Sequence, residues 1–191
     1  MKIIIVFHSV CGNTYLIAKE FRDHLSAAGH SVVLKRTADP DWVLKPGLDE
    51  STCAMLGEMR SLPEAAPGDL ADYDLILMGC PVYFGNVTAE MKAFMDSTGG
   101  LWIKAVLAGK RFAAFTSGGN TEGGADLCLQ ALHIYAKYMG LLSVPLPVTS
   151  LPGENSNVMG IIHYSAGKYA SELPAKTKQL IKNYCLFLSK T

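Results

Sequence analysis

The chain has 191 residues, 49% of them hydrophobic, and its 17 basic residues balance 17 acidic ones. This length favours a single domain with a sizeable core, and the composition excludes a disordered chain. The neutral balance argues against a protein that finds nucleic acid through a basic surface, so we expect no nucleic-acid partner.

The five cysteines, at positions 11, 53, 80, 128 and 185, show no C-x-x-C motif and no Cys/His ligand spacing. This pattern is typical of reduced, buried thiols in a cytoplasmic protein and predicts no metal centre. His8 breaks the first apolar run, no signal-peptide cleavage site follows it, and no segment approaches the roughly 20 apolar residues of a membrane span. We therefore expect a soluble, cytoplasmic protein.

The start of the chain predicts a β-α-β unit. Residues 2–8 carry apolar and β-branched side chains at consecutive positions, which is typical of a strand covered on both faces. Residues 14–28 show a helical apolar stripe that ends at Gly29, and residues 31–35 form a second predicted strand. This opening predicts a parallel sheet with right-handed crossovers.

Residues 37–72 lack a clean period and contain four prolines. We interpret them as an extended connection with a candidate short helix near residues 53–60. An apolar strand resumes at residues 74–79, so the connection does not mark a domain boundary. One domain spanning residues 1–191 is therefore expected.

The rest of the chain alternates helices, strands and loops. The predicted elements are helix 87–95, an interruption at 98–102, strand 111–116, helix 125–138, a last strand at 142–148, an irregular polar stretch at 150–168 and a terminal helix at 169–189. This alternation predicts an α/β doubly wound sheet. In such sheets, ligands bind outside the carboxyl ends of the strands.

Small and hydroxylated residues follow the first predicted strand and open the first helix. Backbone N–H groups, hydroxyl donors and the positive end of the helix dipole suit a phosphate. Helix capping by Asn13 or Thr14 is an alternative that uses the same residue types. The candidate phosphate residues are Ser9, Val10, Cys11, Gly12, Asn13 and Thr14.

Two further loops follow predicted strands. Tyr83 and Phe84 are adjacent in a tight turn that cannot bury both rings well, and a planar ligand would explain them; the alternative is one ring in the core. After the strand at 111–116, four glycines within seven residues let the backbone approach a ligand and donate N–H groups, although such a loop can also be merely flexible. The candidates are Pro81, Val82, Tyr83, Phe84, Gly85, Asn86, Thr116, Ser117, Gly118, Gly119, Asn120 and Gly123.

A phosphate site, an aromatic platform and a loop of backbone donors together predict a pocket for flavin mononucleotide (FMN). A G-x-G-x-x-G dinucleotide motif and a P-loop ending are both absent from the first loop. A low-molecular-weight phosphatase would need an arginine six residues after Cys11, where the chain has Ile17. A receiver domain would need acidic residues where the chain has Phe7 and His8.

A long motif carries a family resemblance. The segment at 71–102 contains ADYD, then GCPVYFGN, then MKAFMDSTGGLW. It resembles the flavodoxin-like superfamily, and most closely the WrbA-type NAD(P)H:quinone oxidoreductases, with the resemblance extending over residues 1–148. The resemblance implies a five-stranded parallel sheet of order 2-1-3-4-5 with helices on both faces, non-covalent FMN, and a homodimer or homotetramer.

The resemblance also implies roles for residues. The first loop would surround the phosphate, the loop at 81–86 would flank the ring and ribityl chain, and residues 117–120 would face the pyrimidine side. Trp102 would lie near the open ring face, contributed by either the same or a neighbouring subunit. Tyr138 stands where the family has a histidine, and residues 159–174 show no good counterpart of the family's later motif.

The implied activity is two-electron transfer from NAD(P)H to a quinone or a similar acceptor, with Tyr83, Trp102 and Tyr138 as candidate catalytic residues. His133 and His163 remain for proton transfer, although His133 within a helix is more typical of a structural role. The alternatives are an electron carrier that docks to redox proteins, and an FMN-binding partner protein without turnover. The neutral charge balance argues mildly against a carrier.

Overall fold

The computed structural model describes residues 1–150, 157–169 and 171–190. Its strands are β1 (Lys2–Phe7), β2 (Ser31–Arg36), β3 (Leu75–Pro81), β4 (Arg111–Gly118), β5 (Leu142–Ser143) and β6 (Ile161–Tyr164). Its helices are α1 (Asn13–Ala27), α2 (Glu50–Ser61), α3 (Ala89–Ser97), α4 (Gly99–Ile103), α5 (Ala125–Tyr138) and α6 (Ala175–Leu188), with short 3-10 helices at Pro67–Asp72 and Val148–Ser150.

All strands pair in parallel, in the order β2-β1-β3-β4-β5, and β6 also pairs with β4. This is the predicted doubly wound sheet of order 2-1-3-4-5. β1 shows why its sequence is apolar throughout. Ile3, Ile5 and Phe7 pack into a core shared with α1 and α6, whereas Ile4 and Val6 pack into the opposite core with α3 and α5. Both faces of the sheet are covered, as parallel sheets require.

The predicted last strand, 142–148, is wrong in extent. Only Leu142 and Ser143 pair with the start of β4, and the end of β4 pairs instead with β6. The physical reason is that Pro145 and Pro147 have no backbone N–H to donate to a ladder. The Leu146 N–H instead donates to the carbonyl of Val158, which lies outside the sheet, at 2.9 Å.

Three other predicted boundaries change. The terminal helix begins at Ala175, after Pro174, and not at residue 169. The interruption predicted at 98–102 contains α4, whose preceding Thr98 hydroxyl lies 3.0 Å from the Tyr135 hydroxyl. The short helix near 53–60 is longer, because the Asp49 side chain accepts a hydrogen bond from the Thr52 N–H and caps it. Among the described residues, no helix is both long and apolar enough to cross a bilayer.

Candidate flavin site

A cavity of about 150 Å³ opens at the carboxyl ends of β1, β3 and β4. It lies where the strand order reverses, since β1 and β3 are neighbours although β2 lies between them in the chain. Three predicted loops and one segment that sequence reasoning missed form its walls. The lining residues are Ser9, Val10, Cys11, Asn13, Thr14, Pro81, Val82, Tyr83, Ser117, Gly118, Gly119, Ser165, Gly167 and Lys168.

Two residues of the first loop that line this cavity carry buried polar atoms without a described partner. Ser9 and Asn13 are both 6% exposed, and the Ser9 Oγ and Asn13 Oδ1 atoms have no hydrogen-bond partner among the described residues. Gly12, with φ +85°, is the N-cap of α1 and supplies no side-chain cap. The capping alternative therefore does not describe this helix start, because the Asn13 and Thr14 side chains bond elsewhere.

Hydrogen bonds join this loop to the other walls. The Thr14 and Ser117 hydroxyl oxygens lie 2.7 Å apart, which links the first loop to the end of β4. The Asn13 amide donates to the Lys168 carbonyl at 2.9 Å. Since both partners of Thr14 and Asn13 lie far along the chain, the shape of the cavity depends on tertiary folding and not on the local loop.

The aromatic loop is a tight turn closed by two backbone hydrogen bonds, of 3.0 and 2.9 Å, between Tyr83 and Asn86. Tyr83 is half-exposed, and Phe84 is fully exposed with φ +50°. Such a φ is strained for an aromatic residue. Neither ring lies in the core, so the alternative of one buried ring is wrong.

The pKa of the Tyr83 hydroxyl is raised above its ordinary value by burial first, and then by the nearby Cys11 thiol and the Glu90 and Asp39 carboxylates. Tyr83 is therefore a neutral hydrogen-bond donor over the physiological range. The Cys11 thiol also lies beside Tyr169, where burial and the contact with Cys11 raise the tyrosine pKa to about 12.

The second and third loops come into contact at Gly85 and Gly124. Gly124 has φ +75°, and a Cβ added there would lie 2.8 Å from the Gly85 Cα. Real Cβ atoms do not approach backbone atoms this closely, so the two loops can meet in this way only because residue 124 is glycine. The contact between the two loops therefore depends on Gly124, although Gly124 does not line the cavity.

Replacing Gly124 by alanine is expected to weaken FMN binding by about 10-fold, because the added Cβ must push the two loops apart. Isothermal calorimetry on the apoprotein measures the change. Gly29→Ala is the matched control, since Gly29 has φ +86° and an added Cβ there meets no described atom within 4 Å. Equal FMN affinities for the two variants would show that the loop contact does not position the site.

The segment after β6 supplies the cavity wall that sequence reasoning missed. The Ser165 N–H donates to the Gly118 carbonyl at 2.9 Å, and this bond continues the pairing of β6 with β4. Ser165, Gly167 and Lys168 reach the cavity for that reason. The available signal was the apolar pair Ile161-Ile162 after Gly160, which marks a short buried strand.

Several predicted residues do not line the cavity. Gly12, Phe84, Gly85, Asn86, Thr116, Asn120 and Gly123 belong to the three loops but lie outside its lining. Trp102 and Tyr138 lie at the opposite end of the sheet, near the amino ends of the strands. Tyr138 ends α5, which starts beside the cavity and runs 14 residues, or about 20 Å, away from it. α4, which carries Trp102, likewise lies shortly before the start of β4.

The two candidate histidines have separate environments. His133 lies with Nδ1 2.9 Å from the Ser143 hydroxyl and Nε2 2.6 Å from the Met159 carbonyl oxygen, which indicates a structural role. His163, on β6, is buried, and burial lowers its pKa. Neither lines the cavity.

A buried histidine that the prediction did not use lies below the first loop. His8 is 3% exposed, with Nε2 3.1 Å from the Asp39 carboxylate and Nδ1 3.7 Å from the Glu90 carboxylate. Ligand atoms of these three residues lie within 4.8 Å of one another. We interpret the cluster as a structural contact that joins the end of β1 to the segment after β2 and to the start of α3, because the Asp39 carboxylate already lies within hydrogen-bond distance of the imidazole.

These features fit FMN. A phosphate can accept a hydrogen bond from the otherwise unpartnered Ser9 hydroxyl at the N-terminal end of α1. Gly118 and Gly119 leave room for close approach to the backbone, and the half-exposed Tyr83 ring stands at the cavity wall. No carboxylate lines the described cavity, so no negatively charged side chain there would repel the phosphate of the cofactor.

The model of the family described as NADPH-dependent FMN reductase matches residues 1–155. The chain belongs to this family. Curated relatives include an NAD(P)H dehydrogenase (quinone) of Deinococcus radiodurans, 34% identical over 96% of this chain and 88% of its own length. One from Geotalea uraniireducens with the same name is 32% identical over 89% of this chain and 84% of its own length.

Solved structures agree on the fold. The flavodoxin, WrbA-like protein from Agrobacterium tumefaciens superposes with a TM-score of 0.65 at 18% identity, covering 99% of this chain and 95% of that one. A flavodoxin from the domain Archaea gives the same TM-score and identity over 100% of this chain and 97% of that one. The predicted flavodoxin-like fold, the family, and the class of FMN-dependent oxidoreductase are confirmed.

Proposed function

We propose that residues 1–191 form one FMN-binding domain that transfers two electrons from NAD(P)H to a quinone or a similar small acceptor. The observation that carries the proposal is the cavity at the strand-order reversal, whose buried Ser9 hydroxyl has no partner among the described residues. When bound there, FMN supplies the redox chemistry, taking a hydride from NAD(P)H and passing two electrons to the acceptor.

The chain's own residues would bind and orient the cofactor. Ser9 and Thr14, with the N–H groups at the start of α1, would hold the phosphate. The N–H groups of Gly118 and Gly119 would donate to the pyrimidine side of the ring and stabilise negative charge there. Tyr83, a neutral donor at the cavity wall, would orient a substrate beside the ring.

The donor and acceptor are supported by the names of the curated relatives, both of which are NAD(P)H dehydrogenases acting on quinone. The chain's neutral charge balance also suits small substrates better than docking to a basic redox protein. We therefore favour the enzyme over the electron carrier.

Trp102 and Tyr138 keep a role in this proposal only through another copy of the chain. Both are exposed, at 55% and 74%, and both lie far from the cavity of their own chain. We propose a homodimer or homotetramer in which such aromatic side chains lie at subunit contacts, working in the cytoplasm. Analytical ultracentrifugation of the wild-type chain and of Trp102→Ala tests the assembly.

Anaerobic titration is the deciding experiment for the function. We expect the purified chain to show a bound oxidised-flavin spectrum, to lose it with one equivalent of NADH or NADPH, and to regain it with one equivalent of benzoquinone. A stable one-electron-reduced state without reduction by either nucleotide would favour the electron carrier. A colourless protein that binds neither added FMN nor FAD would overturn the proposal altogether.

A further inference from the structure

Two buried cysteines face each other behind the cavity. Cys80 is the next-to-last residue of β3, and Cys128 lies in the first turn of α5. Their Sγ atoms are 3.7 Å apart, and both residues are fully buried. Neither thiol has a part in the proposed electron transfer, and neither lines the cavity.

The surroundings make the two sulfurs unequal. Burial raises the pKa of the Cys80 thiol, whereas the hydrogen bond from Cys80 lowers the pKa of the Cys128 thiol. The Thr116 hydroxyl lies 3.5 Å from the Cys128 Sγ and donates to the Cys80 carbonyl at 2.7 Å. Two hydrogen-bonding groups, the Cys80 thiol at 3.7 Å and the Thr116 hydroxyl at 3.5 Å, lie beside the Cys128 sulfur and favour its thiolate, and Cys80 is in position to react with it.

We propose that Cys80 and Cys128 are a redox-active dithiol that hydrogen peroxide converts into a disulfide. The Cys128 thiolate attacks one peroxide oxygen, the O–O bond breaks, and Cys128 sulfenic acid forms with release of hydroxide, which a proton converts to water. The Cys80 sulfur then attacks the Cys128 sulfur, the S–O bond breaks, and a second water leaves with the Cys80 proton. Two thiols lose two electrons in all, and one peroxide is reduced to two waters.

The disulfide would move the walls of the cavity. An S–S bond is about 2.05 Å long, so the sulfurs must approach by about 1.7 Å from their 3.7 Å separation. That movement falls on the end of β3, which continues into the loop at 81–86, and on the start of α5, which follows the loop at 117–124. On the proposed function, oxidation would therefore slow turnover, since misplacements of about 1 Å can cost up to 100-fold in rate.

The test uses the full chain loaded with FMN. The protein is treated with hydrogen peroxide, alkylated under denaturing conditions and mapped by mass spectrometry. We expect a peptide pair linked through Cys80 and Cys128, reversed by dithiothreitol, and turnover of NADPH about 10-fold lower in the oxidised protein. In Cys128→Ala, and equally in Cys80→Ala, peroxide should change turnover less than about 2-fold.

Cys185→Ala is the matched control, because Cys185 is also buried but lies in α6, in the other core. It should form the disulfide as the wild type does. Peroxide that modifies Cys11 or Cys53 while both Cys80 and Cys128 remain free thiols would overturn the proposal. Peptide mapping needs no flavin, so failure of the chain to bind FMN would count against the proposed function and leave the mapping result valid.

Discussion

Replacing Gly160 by alanine is expected to lower the free energy of unfolding by about 3 kcal/mol, or roughly 6–12 °C in melting temperature. Gly160 has φ +144°, and an added Cβ would overlap the carbonyl group of Ala114 in β4. Both groups are backbone or fixed to it, so neither can turn away. β6, which starts at the next residue, would have to separate from β4.

The same change is expected to weaken FMN binding by more than 10-fold, because β6 leads into Ser165 and Lys168 at the cavity wall. Urea unfolding and fluorescence titration with FMN measure the two effects. Gly47→Ala is the control, since Gly47 has φ +80° and an added Cβ there meets no described atom within 4 Å. A Gly160→Ala protein as stable as Gly47→Ala would mean that β6 does not depend on this close approach.

Gly160 is an example of a residue whose role depends on a contact with a distant strand, which the sequence alone does not predict. β1 was predictable because five consecutive buried apolar residues can face two cores at once. The strand order came from the family resemblance, since periodicity does not determine which strands pair. The sequence did not predict that two separate strands, β5 and β6, pair with β4, because the cause is non-local. Pro145 and Pro147 end the pairing of β5. Gly160 then allows β6 to begin pairing with β4 18 residues after Ser143.

The candidate site follows the same division. The first loop, the aromatic loop and the glycine-rich loop at the end of β4 were predictable because each comes at the end of a strand and combines unusual residue types. The placement of Trp102 and Tyr138 could not be inferred from motif matching, which carries no direction in space. The length of α5 alone, once its start is fixed beside the cavity, sets Tyr138 about 20 Å from it.

Substitution of Ser9 has the largest expected effect on FMN affinity. Replacing Ser9 by aspartate is expected to weaken FMN binding by at least about 100-fold, because a carboxylate within about 5 Å of a phosphate dianion opposes it by several kcal/mol even at an effective dielectric of about 20. The loss of flavin absorbance on gel filtration and a titration of the apoprotein measure it. FMN bound as tightly by Ser9→Asp as by the wild type would place the phosphate elsewhere.

Ser9→Ala separates the hydrogen bond from the charge. Removing a buried hydroxyl without a described partner should stabilise the apoprotein by about 1 kcal/mol, while the lost bond to phosphate should weaken FMN binding by roughly 10- to 100-fold. Thr37→Val is the matched control, because the Thr37 hydroxyl is also buried without a described partner but does not line the cavity. It should stabilise the apoprotein to a similar extent and leave FMN affinity unchanged. If the Ser9 hydroxyl binds the ligand, Ser9→Ala should make the apoprotein more stable and bind FMN more weakly. If the hydroxyl only supports the fold, Ser9→Ala should leave FMN affinity unchanged.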